Sequence, residues 1–459
     1  MLALLISTYE MGRQPFGLAS PAAWLRAAGW TVECVDLAKQ RFEAEVAASA
    51  DLVGFYLPMH TATRLAAPVI GKVRALNPSA RISAYGLYAP LNATWLRSLG
   101  VDEVLGGEFE EELTRIAAEL STTEDTKDTE VVESVTRGSL PRLKFLVPDR
   151  RGLPPLDRYA TLQHPGGRRA LVGYTEASRG CRHLCRHCPI VPVYHGQFRV
   201  VQPDIVLADI ANQVAAGAGH ITFGDPDFFN GPTHACRVID GLHAAHPAVT
   251  FDVTIKIEHL LSHRDLLPRL RDAGCLFITS AVESIDDRVL ARLDKGHTRR
   301  DFVEAVALCR ETGVTLVPTF VAFHPWSTLD DYCELLETIE QLDLVDHVAP
   351  IQLAIRLLIP EGSRLLELQE AAALAGRFDP ATLTYRWSHA DPRVDRLQED
   401  VSALVGLELT TDRRTTFDAV RALAFERAGR TGDAMRSRPR TAPARDRATV
   451  PYLNEPWYC

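Results

Sequence analysis

Cys181, Cys185 and Cys188 stand in the stretch SRGCRHLCRHCPI, and the C-x3-C-x2-C spacing gathers three thiols on one short loop. Three thiolates so placed can hold three irons of a four-iron cubane and leave the fourth iron open to a ligand. Zinc is the competing chemistry, with His183 and His187 between the cysteines as nitrogen donors. No second C-x2-C pair follows, so a paired zinc knuckle finds no partner. A second set of candidates is charged. Lys256 and Glu258 alternate with Ile255 and Ile257, a strand pattern that turns both charges inward, where burial demands partners; a surface pair between the two is the alternative. Arg356, in QLAIRLLIPEGS, could clamp a carboxylate with its two-pronged guanidinium. His324 and Trp326, in VAFHPWST, are candidates to line a substrate site.

These residues need a scaffold, and the pattern supplies an α/β one. Apolar runs at 2–7, 31–36, 51–57 and 81–86, with a weaker one at 101–105, read as buried parallel strands. Helical spacing at 19–28, 61–76, 91–99 and 110–120 separates them, which predicts a flavodoxin-like doubly wound domain over 1–120. The polar, aperiodic residues 121–140 read as a linker, and the proline-rich residues 141–169 as a connecting strap. Six strand–helix units over 170–367 predict a partial (βα)6 TIM-type barrel, with strands at 170–175, 220–224, 250–257, 276–282, 314–323 and 348–358. A helical extension (368–425) and a flexible basic tail (426–459) complete the chain.

The 459 residues carry a net charge of -9, which argues against general nucleic-acid affinity. No apolar run is long enough to span a bilayer, and residues 2–6 are too short for a signal-peptide core. Nine scattered cysteines make no disulfide framework, so a reducing compartment, the cytoplasm, is expected. Cys34, Cys236, Cys275, Cys309 and Cys333 read as small buried hydrophobes.

With the cysteine triplet and the strand–helix alternation in place, the chain resembles the radical S-adenosylmethionine (radical SAM) superfamily, in its branch with an N-terminal cobalamin-type domain. The resemblance implies a 4Fe-4S cluster on Cys181, Cys185 and Cys188, with S-adenosylmethionine on the open iron. Glu283, in SAVES, looks like the acid at the end of strand four that meets the ribose or amino group of S-adenosylmethionine. Ser284 is its neighbour, and Asp294-Lys295-Gly296 resembles the L-x-K-G turn that follows. Asp225 and Asp227, in DPDFFNG, correspond to the acidic end of strand two. Helix capping is the other role open to Glu283, Asp225 and Asp227. His187 departs from the apolar or aromatic residue expected before the last cysteine, and Phe323 and Ser327 depart from a G-x-P-x-E-T turn.

Residues 15–36, DLVGFY (51–56) and GGEFEE (106–111) are similar to segments of cobalamin-binding domains. No D-x-H-x-x-G is present, so a bound cobalamin would lack a protein histidine below cobalt, and His60 reads as a surface residue. A domain that kept the fold and lost the cofactor is the alternative. The C-terminal VPYLNEPWYC resembles a group with CUAEP or CCAEP tails, in which Cys459 would be a tethered reactive thiol and the frame would continue through a selenocysteine codon. An ordinary chain terminus is the alternative there.

The resemblance implies an enzyme that cleaves S-adenosylmethionine to start radical chemistry, with cobalamin-linked methyl transfer as its outcome and a flavodoxin or ferredoxin as reductant. Two other readings stand beside it. One is radical chemistry without methyl transfer, a rearrangement or an aminocarboxypropyl transfer to a soft element held by tail thiols. The other is a non-enzymatic iron–sulfur module.

Overall fold

The computed structural model describes residues 1–122, 142–407, 411–430 and 447–454; Cys459 and most of the expected linker lie outside them. The first unit alternates β1 (Leu2–Ser7), α1 (Phe16–Ala27), β2 (Thr31–Asp36), α2 (Ala44–Ser49), β3 (Leu52–Tyr56), α3 (His60–Leu76), β4 (Arg81–Tyr85), α4 (Ala93–Ser98), β5 (Glu103–Val104) and α5 (Glu110–Ser121). Its five strands pair in the order β2-β1-β3-β4-β5, all parallel. Runs such as LALLIS and LVGFY are buried almost throughout because helices cover both faces of the sheet. Leu18, Leu25, Leu113 and Ile116 from α1 and α5 form the core on one face. Ala66, Ile70, Val73 and Leu96 from α3 and α4 form the core on the other. Within this unit sequence reading lacked α2, six residues long with only Ala47 buried, too short to show a period.

The strap lies extended, and Leu143, Phe145 and Leu156 sink into the core of the second unit. That unit begins with β6 (Thr161–Gln163), β7 (Arg169–Thr175), β8 (Ser178–Gly180), α6 (Val191–Tyr194), β9 (Phe198–Val200), α7 (Pro203–Ala215), β10 (His220–Phe223) and α8 (Pro232–Ala245). It continues through β11 (Thr250–Thr254), α9 (Ile257–Ser262), α10 (Leu267–Asp272), β12 (Cys275–Glu283), α11 (Asp287–Leu293), α12 (Arg299–Thr312), β13 (Thr315–Phe320) and α13 (Leu329–Gln341). Its sheet runs β13-β12-β11-β10-β7-β6, with β7 to β13 parallel and β6 antiparallel at the edge. This is an open half-barrel.

Three expectations are corrected. The sixth barrel strand, 348–358, does not form among the described residues. Pro350 cannot donate to a ladder, and Pro350–Leu353 is a 3-10 turn. The Gln352 side chain accepts the Phe320 N–H at 3.1 Å in place of a strand carbonyl, and a single bridge pairs Phe323 with Arg356. Strand three stops at Thr254, so Lys256 and Glu258 are not strand residues: Lys256 is the N-cap of α9 and Glu258 lies in its first turn. The expected flexible tail is corrected in part, because β16 (Tyr452–Leu453) pairs antiparallel with β6 and extends the sheet.

Before β16, the chain forms α14 (Gln369–Leu374), the hairpin of β14 (Phe378–Asp379) and β15 (Thr384–Tyr385), α15 (Pro392–Leu407) and α16 (Arg413–Arg427). Val394, Leu397, Val401, Phe417 and Val420 of α15 and α16 join the barrel core. No helix among the described residues is long and apolar enough to cross a membrane.

Candidate active site

The cysteine loop leaves β7 and is fastened from several directions. Asp225, beyond the end of β10, accepts the Ala177 N–H at 2.9 Å and the Ser178 hydroxyl at 2.5 Å. Asn230 accepts the Arg182 N–H at 3.2 Å and lies 3.9 Å from the Cys181 sulfur. Arg186 donates to the Ala291 and Arg292 carbonyls at the end of α11, where exposed carbonyls favour a cation. Arg364 and Ser363, past the half-barrel, donate to the Leu184 and Arg186 carbonyls.

The two histidines between the cysteines each meet a carboxylate from a different strand end. His187 Nε2 lies 3.0 Å from Glu283 Oε1, at the end of β12. His183 Nε2 lies 3.5 Å from Asp227 Oδ2, and His259 Nδ1 of α9 lies 2.7 Å from the same oxygen. Burial works to raise Asp227, but the two histidines outweigh it and hold its carboxyl at about 2. Burial likewise works to raise Glu283, and Lys295 and His187 hold it at about 2. Glu283 adopts a left-handed φ of 68°, an uncommon conformation for a glutamate and one held here by its buried partners.

Two ammonium groups face the thiols. Lys256 Nζ is 3.9 Å from the Cys185 sulfur and 3.5 Å from Glu258 Oε2. Lys295 donates to Glu283 at 3.3 Å, and its charge bears on Cys185 and Cys188. The turn that carries Lys295 passes so close to Glu258 that a Cβ on Gly296 would stand 2.5 Å from its carboxylate. Burial pushes the Cys188 thiol up to about 12 and also raises Cys181, so both require cations or a metal to ionise at neutral pH.

The chain's residues therefore fit an iron–sulfur cluster. Cys181 and Cys185 are buried, Cys188 is half-buried, and all three are free thiols close enough for Cys188 to feel the charge of the other two. Cys181, His183 and Asp227 also offer donor atoms within 4.8 Å of one another, but Cys185 and Cys188 fall outside that group.

Other expected site residues are placed differently. Arg356 does not present its prongs to a cavity: they go to Asp395 at 2.7 Å and the Trp387 carbonyl at 2.8 Å, over the Trp387 ring. It ties the half-barrel to the C-terminal extension. Glu258 has a half-exposed side chain and reaches the site only through Lys256 and His183. Ser284 accepts the Asp286 N–H at 3.1 Å, a turn contact, and borders with Glu283 and His324 a cavity of about 340 Å³. Burial lowers His324 to about 4, so it lines that cavity as a neutral ring. Trp326 packs under the Arg292 guanidinium instead. His60 is not a surface residue: it is buried at the start of α3, and its Nε2 meets the Thr382 carbonyl.

Sequence reading missed Arg179. This buried residue, two before Cys181, donates to both oxygens of Glu110 at 2.7 and 2.9 Å and to Glu176 at 2.7 Å. Phe16, Phe109 and Phe145 pack around it with ring centroids 5.0–5.7 Å from its guanidinium carbon. The first unit is thereby fixed to the cysteine loop. Between the two units lies a second cavity of about 350 Å³, bordered by Glu10, Tyr56, Tyr174, Arg179, Tyr194 and Asp225.

Comparison with known proteins places this geometry. The family described as the radical SAM superfamily matches residues 175–339. A tRNA-2-methylthio-N(6)-dimethylallyladenosine synthase from Desulfosudis oleivorans is 27% identical over 192 residues, 38% of each chain. The ribosomal protein uS12 methylthiotransferase RimO of Geobacter sulfurreducens is 23% identical over 45% of this chain and 50% of its own. The chain thus spans about half, or less, of the length of these curated relatives. Among solved structures, the radical S-adenosylmethionine methyltransferase TsrM from Kitasatospora setae, with cobalamin and a 4Fe-4S cluster bound, is similar in fold. It is 20% identical over 74% of this chain and 70% of its own, at a TM-score of 0.59. The cobalamin-dependent S-adenosylmethionine radical enzyme OxsB, with aqua-cobalamin bound, is 15% identical over 89% of this chain and 67% of its own, at a TM-score of 0.66.

Proposed function

On the premise that this chain is a radical SAM enzyme, with the superfamily's domain at residues 175–339, we propose that it cleaves S-adenosylmethionine at a cluster held by Cys181, Cys185 and Cys188 and directs the radical at a small substrate in the cavity between its two units. The cluster, when bound, supplies one electron to the sulfonium and so breaks a sulfur–carbon bond. The chain's own residues do the rest. Lys256 and Lys295 offset the charge of the thiolates, and Glu283 offers S-adenosylmethionine a buried carboxylate already stripped of water. Arg179 and its glutamates hold the first unit over the barrel, which keeps water from the reacting atoms.

The observation that carries this reading is the meeting of three thiols, two lysines and the Glu283–His187 pair around one loop at the strand ends. Its test is anaerobic reconstitution with iron and sulfide, followed by assay for 5′-deoxyadenosine. The wild type should turn brown and cleave S-adenosylmethionine. A protein with alanine at Cys181, Cys185 and Cys188 should do neither, and retention of a full cluster in that variant defeats the proposal.

Cobalamin-linked methyl transfer is the finer reading suggested by TsrM and OxsB, whose structures hold cobalamin. It requires room for a corrinoid at the carboxyl ends of the first sheet, where Tyr56, Tyr85 and Phe109 pack against one another and Tyr56 and Phe109 border the cavity of about 350 Å³. Radical chemistry without cobalamin is therefore the reading favoured here.

A further inference from the structure

Sheets of order β2-β1-β3-β4-β5 take ligands in the crevice beyond the strand ends where the order reverses, between β1 and β3. In this chain the inner part of that crevice, against α1, is filled by its own side chains, and the loops after β1, β3 and β4 border a cavity in front of them. Tyr56, the last residue of β3, lays its ring on α1 so closely that a Cβ on Gly17 would stand 2.2 Å from it. Tyr85, the last residue of β4, donates its hydroxyl to the Gly17 carbonyl at 2.9 Å. Phe109, just ahead of α5, closes the group, 4.8 Å from the Tyr85 ring and 6.2 Å from that of Tyr56. All three rings are buried. Glycine at position 17 is part of the closure, because any side chain there would push Tyr56 out.

In front of these rings remains the cavity of about 350 Å³. That is near the lower end of the range of about 300–1,000 Å³ that serves drug-sized ligands. Cobalamin, a macrocycle with amide arms and a nucleotide arm, is far larger than that space. His60, the histidine nearest the end of β3, already has its Nε2 against the Thr382 carbonyl.

We infer that the first unit of this chain has given its ligand crevice to Tyr56, Tyr85 and Phe109, does not hold cobalamin, and serves as the roof of the barrel's cavity. Two features make it a roof. Arg179 anchors it through Glu110, and the faces of Tyr56 and Phe109 that look outward become walls of the cavity next to the cysteine loop.

The test uses the full chain, reconstituted anaerobically until it carries its iron and cleaves S-adenosylmethionine, so that an unfolded sample cannot count as support. It is incubated with hydroxocobalamin, passed through a desalting column, and analysed for cobalt and corrinoid absorbance. Its thermal midpoint is followed against hydroxocobalamin concentration, since a ligand of the folded state must raise it. The expected result is cobalt at the background of a non-binding control protein and a midpoint that does not move. Cobalt retained near one per chain, or a midpoint rising with corrinoid, overturns the inference.

Discussion

Glu283 shows what one residue at a strand end is made to do. It sits at a left-handed φ, buried, between an ammonium and an imidazole that both belong to the surroundings of the cysteines. Its carboxyl, held at about 2, is fully ionised at neutral pH and is ready to accept from an incoming ligand. Glu283→Gln keeps the shape and removes the charge. We expect S-adenosylmethionine affinity to fall about ten- to a hundred-fold, the loss of a charge-assisted hydrogen bond of about 1.5–3 kcal/mol, with iron content retained. Equilibrium dialysis with labelled S-adenosylmethionine measures it. Unchanged affinity in a folded, iron-loaded variant would remove Glu283 from the ligand site and leave it as a clamp on His187 and Lys295. The acid at this position was legible through the resemblance of SAVES to the family's strand-four segment, at the end of a predicted strand. Its partners were not, since His187 lies 96 residues away and local spacing carries no signal for such a pair.

At the scale of elements, the join between the first unit and the cysteine loop rests on buried charge. Arg179 of β8 is 6% exposed, and Glu110 at the start of α5 has no exposed side chain. Removing one member of such a pair leaves the other uncompensated and costs about 3–5 kcal/mol. Arg179→Met should therefore lower the urea midpoint clearly, and Arg179→Met combined with Glu110→Gln should recover part of the loss. A double variant no more stable than the single would show that packing of the guanidinium among Phe16, Phe109 and Phe145, not charge, holds the join. Strand β1 follows its apolar run residue for residue because it is buried almost throughout, and edge strand β2 does so with Val32, Cys34 and Asp36 buried in alternation with exposed or half-buried neighbours. GGEFEE was visible as a segment, yet nothing in it told that Glu110 would face Arg179, 69 residues on. Lys256 misled for a different reason: TIKIE alternates like a strand, but the Ile255 N–H makes the last sheet bond, to the Thr279 carbonyl, and α9 starts two residues later.

Across the whole molecule, acids are crowded where the two units meet. Burial pushes Glu108 up from an ordinary 4.5 to about 7, partly offset by Arg179, and Glu110 and Glu176 raise it further. Asp225 rises to about 7 mainly through burial, and Glu10 and Glu176 are raised by the same cause. A raised acid binds a proton in the folded chain that the unfolded chain has already released. Its contribution to stability is fully present below the unfolded value and is lost as pH climbs through the folded one. Asp227 and Glu283 have the opposite sign, but their folded values of about 2 place their effect at more acid pH, below the unfolded values of 3.8 and 4.5. Between about pH 4.5 and pH 7 each raised acid works to lower stability as pH rises, while histidines held low by burial, His297 and His324 at about 4, work the other way. The contribution of one acid is therefore read as a difference between wild type and variant. Glu108 lends itself to the test because its carboxylate oxygens find no hydrogen bond among the described residues, so Gln removes the charge without breaking one. Its shift from 4.5 to about 7 corresponds to about 3 kcal/mol. In urea unfolding the wild type should lose stability relative to Glu108→Gln between pH 5 and pH 8, by an amount of that order, with the variant more stable at pH 8. An equal difference in both proteins would mean that Arg179 keeps Glu108 ionised, and the join would then be a fully charged network at neutral pH.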